Sequence, residues 1–276
     1  MKVALVGPPG SGRATHATAI KEAYAPRQIC YLNMTDLMRR AVAERTPNGR
    51  RIELANRDGL LLDDDAYVAV VQEHLQRGGF DTSSGTGPGQ THPPFKAQAP
   101  TTTIEPDACA AGFILDGFPR TVTQLKLLEQ SIGGALDGVI QLELEDERVL
   151  DRVSRRWVHK ASGRVYHDRV FPPRVPGKDD LTGEPLTQRH DDDPEVVKRR
   201  LTRHKEQTTL LRRFLSGDTK ESTESASSEG RRSTPTAWLD VDGNGPVDTV
   251  RQRLLAALVS VEASSGRRRQ RSWKFW

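Results

Sequence analysis

The residues able to do chemistry begin with Gly7-Pro8-Pro9-Gly10-Ser11-Gly12-Arg13-Ala14-Thr15. An apolar run at 3–6 precedes them and a helical pattern at 14–23 follows. A glycine-rich turn between a strand and a helix start cradles phosphate, because inward-turned N–H groups and the positive helix end face the anion together. Gly7 and Gly12 keep the spacing of the template G-x-x-x-x-G-K-[ST]. Arg13 stands where that template has lysine, and Ala14 precedes Thr15. The candidate donor-phosphate cradle is therefore Gly10, Ser11, Gly12, Arg13, Ala14 and Thr15. An ordinary strand–helix turn is the competing reading.

A second constellation is Phe113-Ile114-Leu115-Asp116-Gly117-Phe118-Pro119-Arg120-Thr121. A buried strand ends in a carboxylate that can orient water around magnesium. The chain then turns at once and presents Arg120, whose fork matches a phosphate with two parallel bonds. In an open parallel sheet, ligands gather at the carboxyl edge, where the phosphate loop also lies.

The elements that must position these groups alternate. Strand signals at 2–7, 28–32, 112–116, 138–144 and 237–241 are interleaved with helical patterns, which predicts a βαβ architecture with a parallel sheet. Residues 64–77 carry Tyr67, Val68, Val71 and Leu75 at helical spacing behind Asp63 or Asp64 as cap. Residues 146–157 predict a helix with Arg152 and Arg156 on one face. Asp193-Pro194-Glu195 opens a long basic helix to about residue 215. Val247, Val250, Leu254, Leu258 and Val261 form a last apolar face. Residues 78–111 and 217–236 are rich in small and polar residues and predict solvated insertions.

With both constellations in place, the chain closely resembles the adenylate kinase family. Ala161-Ser162-Gly163-Arg164-Val165-Tyr166-His167, Asp180-Leu181-Thr182-Gly183-Glu184-Pro185-Leu186, Gln188-Arg189 and Asp191-Asp192 look like the mobile lid of its long form. Arg156-Trp157-Val158-His159 and the run from Asp179 to Leu186 look most like the mitochondrial GTP:AMP phosphotransferases. The resemblance spans 2–262 apart from the two insertions. It implies an α/β fold: a three-layer P-loop NTPase with a five-stranded parallel sheet, a helical monophosphate-binding insertion and a small β lid. The implied division is core at 1–32, acceptor segment at 33–62, core helix at 63–77, insertion at 78–111, core at 112–156, lid at 157–190, core at 191–262 and a tail at 263–276.

The implied activity is reversible phosphoryl transfer from magnesium-bound ATP or GTP to AMP, by a monomer that binds neither nucleic acid nor membrane. Such transfer asks for positive charge around the phosphates and little covalent work. By resemblance, Arg13, Arg120, Arg156, Arg189 and Arg200 grip the transferring group with Asp116 beside them. Arg152, Val165, Tyr166 and Gly245 meet the donor nucleotide, and Asp191 and Asp192 fix the arginines. The acceptor would meet Thr35, Arg39, Leu60, Leu61, Leu62, Gly117 and Gln124, with Asp36 in the same segment. Met34-Thr35 departs from the family's Ser/Thr-Gly and is expected to crowd the acceptor base. Arg13 and Met34-Thr35 motivate a second reading, a nucleotide-binding relative with little turnover that acts as sensor or scaffold. A generic phosphate-loop NTPase is a third, which Asp116-Gly117-Phe118-Pro119-Arg120 and the lid disfavour.

His159, Ser162, Asp179 and Thr182 have zinc-ribbon spacing, but only one of them is a good zinc ligand, so a hydrogen-bond cluster is expected instead. Magnesium then arrives only with the nucleotide. Cys30 and Cys109 are the only cysteines, too few for a disulfide framework, and fit a reducing compartment. The resemblance suggests the mitochondrial matrix, with the cytoplasm as alternative because no Arg/Ser-rich presequence is seen. Of the +4 net charge, residues 263–276 supply +5, which leaves the rest at −1 and excludes a globally basic nucleic-acid binder. That tail mixes cations with aromatics and suits an anionic surface, but it is short and without amphipathic period, so an unfolded end is expected.

Overall fold

The computed structural model describes residues 1–58, 62–79, 108–217 and 236–272. Residues 80–107 and 218–235 of the expected insertions, and the acceptor-wall residues Gly59, Leu60 and Leu61, lie outside the described residues.

Five parallel strands form one sheet in the order β2-β3-β1-β4-β7: β1 (Lys2–Val6), β2 (Ile29–Asn33), β3 (Gly112–Asp116), β4 (Gly138–Glu143) and β7 (Ala237–Asp242). Alternation along β1 makes the layers. Ala4 and Val6 pack with Phe113, Leu115 and Val139 on one face, while Val3 and Leu5 pack with Ile114, Ile140 and Leu142 on the other. The first face is covered by α2 (Met34–Ala43), α4 (Asp64–Arg77), α5 (Val122–Ser131) and the end of α7 (Pro194–Ser216). The second is covered by α1 (Arg13–Tyr24) through Ile20 and Tyr24. There α8 (Val247–Ser272) contributes Val250, Leu254, Leu258 and Val261. Burial of each such side chain supplies roughly 1.5–3 kcal/mol. The three-layer α/β expectation is met.

Local chemistry explains most boundaries. Asp193 caps α7 by accepting from Glu195 N at 2.9 Å, and Pro194 loses nothing at the first helical position. Asn33 caps α2 by accepting from Thr35 N and Asp36 N. The acceptor segment continues through α3 (Pro47–Asp58).

Two expectations are corrected. The helix expected over 146–157 stops earlier, as α6 (Asp146–Ser154). Arg155 leaves the helix, and β5 (Arg156–Val158) pairs antiparallel with β6 (Val165–His167) to start the lid. Arg152 and Arg156 therefore do not share a helix face. The end expected to be unfolded from 263 instead continues α8 to Ser272, with Ser265 still buried. Among the described residues no helix is long and apolar enough to cross a membrane.

Cys30, at the start of β2, and Cys109, just before β3, are joined by a disulfide. Two cysteines were expected to build no disulfide framework; they make this single bond. Pairing β2 with β3 puts Cys30 beside Phe113, and the turn before β3 carries Cys109 back to it.

Candidate active site

β1 and β3 end side by side, Leu5 opposite Asp116, so the phosphate loop and the Asp116–Arg120 turn share the carboxyl edge of the sheet. Gly12, at φ +96°, makes the left-handed step that starts α1. Gly117, at φ +79°, turns the chain straight after Asp116, and Phe118–Pro119 is a cis peptide.

Arg13 is fully engaged. Its Nε donates to Asp116 Oδ1 at 2.6 Å, and its Nη1 donates to the Gly7 carbonyl, to Pro8 O at 3.2 Å and to Ser11 Oγ at 3.1 Å. The guanidinium thus lies within the loop and takes its own acceptors. Asp116 is only 1% exposed, and its other oxygen accepts from Tyr31 Oη at 2.8 Å and Asn33 Nδ2 at 2.6 Å. Burial and the Asp116 charge push the Tyr31 hydroxyl far above its usual range, so it remains a donor. Both carboxylate oxygens are occupied, by Arg13 on one and by Tyr31 and Asn33 on the other. No sequence motif points to Tyr31 and Asn33 as partners of Asp116; the β2–β3 register brings Asn33 opposite it.

A cavity of about 200 Å³ opens beside the loop, lined by Gly7, Arg13, Gly117, Arg120, Arg200 and His204 among others. Arg120 is tied to the turn by Nε donating to Gly117 O at 2.9 Å. Arg200 donates to Asp191 Oδ2 at 2.7 Å. Arg156 forks onto the buried Asp192, with Nε to Oδ2 at 2.9 Å and Nη2 to Oδ1. Asp191 and Asp192 therefore hold Arg200 and Arg156. Arg189 is partly buried, and its guanidinium makes no hydrogen bond or ion pair among the described residues.

The lid packs around one carboxylate. Asp179 accepts from Arg164 Nε and Nη2 at 2.8 and 2.6 Å, from Tyr166 Oη at 2.9 Å, and from Thr182 Oγ1 and N at 2.9 Å each. The Arg164 bonds, then those from Thr182 and Tyr166, hold its acid well below the usual carboxylate range. His159 Nδ1 lies 2.7 Å from Ser162 Oγ, and its Nε2 lies 2.5 Å from Glu184 Oε2. His159, Ser162, Asp179 and Thr182 thus come together in one hydrogen-bond cluster, and Arg164 and Glu184 extend it.

A family model described as the adenylate kinase active-site lid matches residues 156–191. Adenylate kinase 4 of Oryza sativa subsp. japonica is 38% identical over 210 residues, covering 75% of this chain and 73% of that protein. Adenylate kinase 4 of Arabidopsis thaliana is 36% identical over 210 residues, covering 75% and 72%. The chain belongs to the adenylate kinase family. It is a nucleoside monophosphate kinase, a nucleotide-binding phosphotransferase.

The remaining residues assigned from this kinase family divide. Arg152 donates to Gly10 O, Ser11 O and Gly243 O at 3.5, 3.4 and 3.2 Å, which ties the phosphate loop to the end of β7. Ala14 and Thr15 are exposed on the first turn of α1. Val165 is exposed on the lid, whereas Tyr166 is buried and committed to Asp179. Arg39 is exposed and 3.4 Å from Asp36 Oδ1. A methyl group built on Gly163 of the lid would stand 4.0 Å from Arg39 Nη1, so the lid and α2 approach each other there.

Two details of the acceptor side differ from expectation. Met34 is only 2% exposed and joins the core with Leu37 and Phe118, so its side chain does not crowd the acceptor base. Thr35 beside it is exposed. Gln124 is buried; its Oε1 accepts from Arg120 N at 2.8 Å and its Nε2 donates to Asp64 Oδ1 at 2.8 Å. Its amide braces the arginine turn in this structure, and Leu62 is partly buried against the same core.

Proposed function

We propose that this kinase moves the terminal phosphoryl group of magnesium-bound ATP or GTP reversibly onto AMP, as a monomer serving nucleotide homeostasis. The observation that carries the reading is the convergence of Gly7, Arg13, Arg120 and Arg200 on one cavity at the sheet's carboxyl edge. Phosphoryl transfer needs positioning and charge more than covalent chemistry, and a cavity walled by guanidiniums supplies both. Arg120 and Arg200 would hold the transferring and acceptor phosphates, with Arg156 and Arg189 brought in by the lid. Arg152 would lie against the donor base, Arg39 and Thr35 would meet AMP, and lid closure would exclude water. Magnesium enters with the nucleotide.

A specific observation favours a second reading. Arg13 is spent on Asp116 and on the loop's own acceptors, which suits a nucleotide binder with reduced turnover. Coupled turnover with ATP or GTP as donor and AMP as acceptor, on the native chain and on Arg13→Lys, separates the two. Transfer by the native chain supports the first reading. Transfer by the lysine variant alone supports the second, and background rates in both with nucleotide still bound overturn the reaction itself. The donor comparison in the same assay decides between ATP and GTP.

We infer the mitochondrial matrix from the family resemblance, with the cytoplasm as alternative, and imaging of the tagged full chain tests this. Recovery of an intact Cys30–Cys109 bond from cells would argue for a less reducing compartment than either.

A further inference from the structure

His204 belongs to no role described so far. It stands on α7 one helical turn beyond Arg200 and forms part of the wall of the transfer cavity. Its Nδ1 is 3.4 Å from Thr208 Oγ1, while its Nε2 is shut off from solvent and has no hydrogen-bond partner among the described residues. A buried polar atom left unpaired is destabilising, and at a binding site it marks a place where a ligand atom completes the pairing. With the Thr208 hydroxyl donating to Nδ1, the neutral ring carries its proton on Nε2, the correct polarity for a phosphate oxygen.

The surroundings share one sign. Arg13 faces the ring from the phosphate loop, Arg120 from the β3–α5 turn, and Arg200, Arg203 and Lys205 lie on its own helix. Among the described residues no carboxylate lines this cavity, and Asp116, which pairs with Arg13, is committed to Arg13, Tyr31 and Asn33. Burial first, then Arg13, Arg120 and Lys205, lower the imidazole's pKa to about 4. Phosphates entering the cavity reverse the sign of the local field, and a nearby anion favours the charged imidazolium.

We propose that His204 contacts the phosphates of the bound nucleotide through Nε2–H and takes up a proton as they enter, so that the cavity gains a cation only when it is filled. This rests on the phosphoryl-transfer reading for where the phosphates lie. By linkage, a group that binds its proton more tightly in the complex strengthens binding as pH falls through the pKa of the complex.

The test is calorimetric titration of the full chain with ADP, and separately with inorganic tripolyphosphate, at pH 6 in buffers of different ionisation enthalpy. The native chain and His204→Gln are compared, and the His204 Cε1–H signal is followed by NMR in the native chain. The expected result is about one more proton taken up by the native chain than by the variant, with roughly tenfold tighter ADP binding at pH 6 that converges towards the variant's by pH 8.5. A His204 signal that titrates at the same pH with and without ligand overturns the proposal, as do equal proton counts in two chains that both bind ADP. If the native chain binds neither probe, the proposal and the phosphate assignment fall together. If proton uptake is seen but coupled transfer is absent, the reaction falls and the His204 contact stands.

Discussion

Arg13 Nε lies 2.6 Å from Asp116 Oδ1, which joins the phosphate loop to the end of the neighbouring strand by a pair whose carboxylate is only 2% exposed. An arginine that keeps charge at the lysine position therefore does not keep it free. Its planar fork reaches Asp116 and the loop carbonyls at once, which a compact ammonium cannot do with the same reach. Entering phosphates must draw this guanidinium away from protein acceptors before it serves them.

Arg13→Lys is expected to bind nucleoside triphosphate about tenfold more tightly, since one charge-assisted bond released corresponds to about 1.5 kcal/mol. Calorimetry of both chains with the same nucleotide measures this. Equal affinity would mean that the Arg13 contacts do not compete with phosphate.

Asp116→Asn removes the charge that Arg13, Tyr31 and Asn33 share. Breaking one side of a buried pair is expected to destabilise the fold by about 3–5 kcal/mol. Urea unfolding reads the loss, and a midpoint that does not move would show that the pair is exchanged for water.

The lid is expected to hold its order across the neutral and mildly acidic range. Asp179 has a depressed pKa, so its contribution is fully present above the unfolded carboxylate value of about 3.9 and fades only as pH falls towards the lower folded value. Asp179→Asn should therefore open the lid at pH 7, raising proteolytic cutting within residues 157–190 by about tenfold while the core stays resistant. Uniform cutting across lid and core would contradict a local role.

Gln124→Met leaves Arg120 N and Asp64 without their side-chain partners. A loss of about 1–3 kcal/mol is expected, together with a raised KM for AMP because the Arg120 turn loosens. Stability and KM measured on one preparation check it; an altered KM at unchanged stability would point instead to direct contact with the acceptor base.

Cys30–Cys109 closes a long loop, and cutting it by Cys109→Ala or a reductant is expected to remove about 2–4 kcal/mol. Thermal melts with and without reductant should differ by several degrees for the native chain and not at all for the variant. Coincident melts of the native chain would show that it carries thiols in solution.

Much of the fold was readable because its signals are local. Asp193-Pro194-Glu195 is cap chemistry within three residues, and the 112–116 strand and the 64–77 helix end where their own turn residues say they should. The lid cluster was readable through the His159, Ser162, Asp179 and Thr182 spacing. What escaped depends on partners far along the chain. The end of α6 is decided by pairing between β5 and β6, and Arg13 finds Asp116 across 103 residues. Met34 turns inward because the core beneath α2 has room for it. Gln124 reads as a base contact by motif, yet its amide is claimed by Asp64 some 60 residues earlier.

The bond between Cys30 and Cys109 encircles the whole acceptor segment, since α2, α3 and α4 all lie between its two ends. A single cut of the backbone anywhere between them leaves one covalent molecule rather than two fragments. On a denaturing gel such a nicked chain runs as one band until reductant is added, and only then separates. A preparation judged intact without reductant can therefore already have lost the continuity of the segment proposed to bind the acceptor.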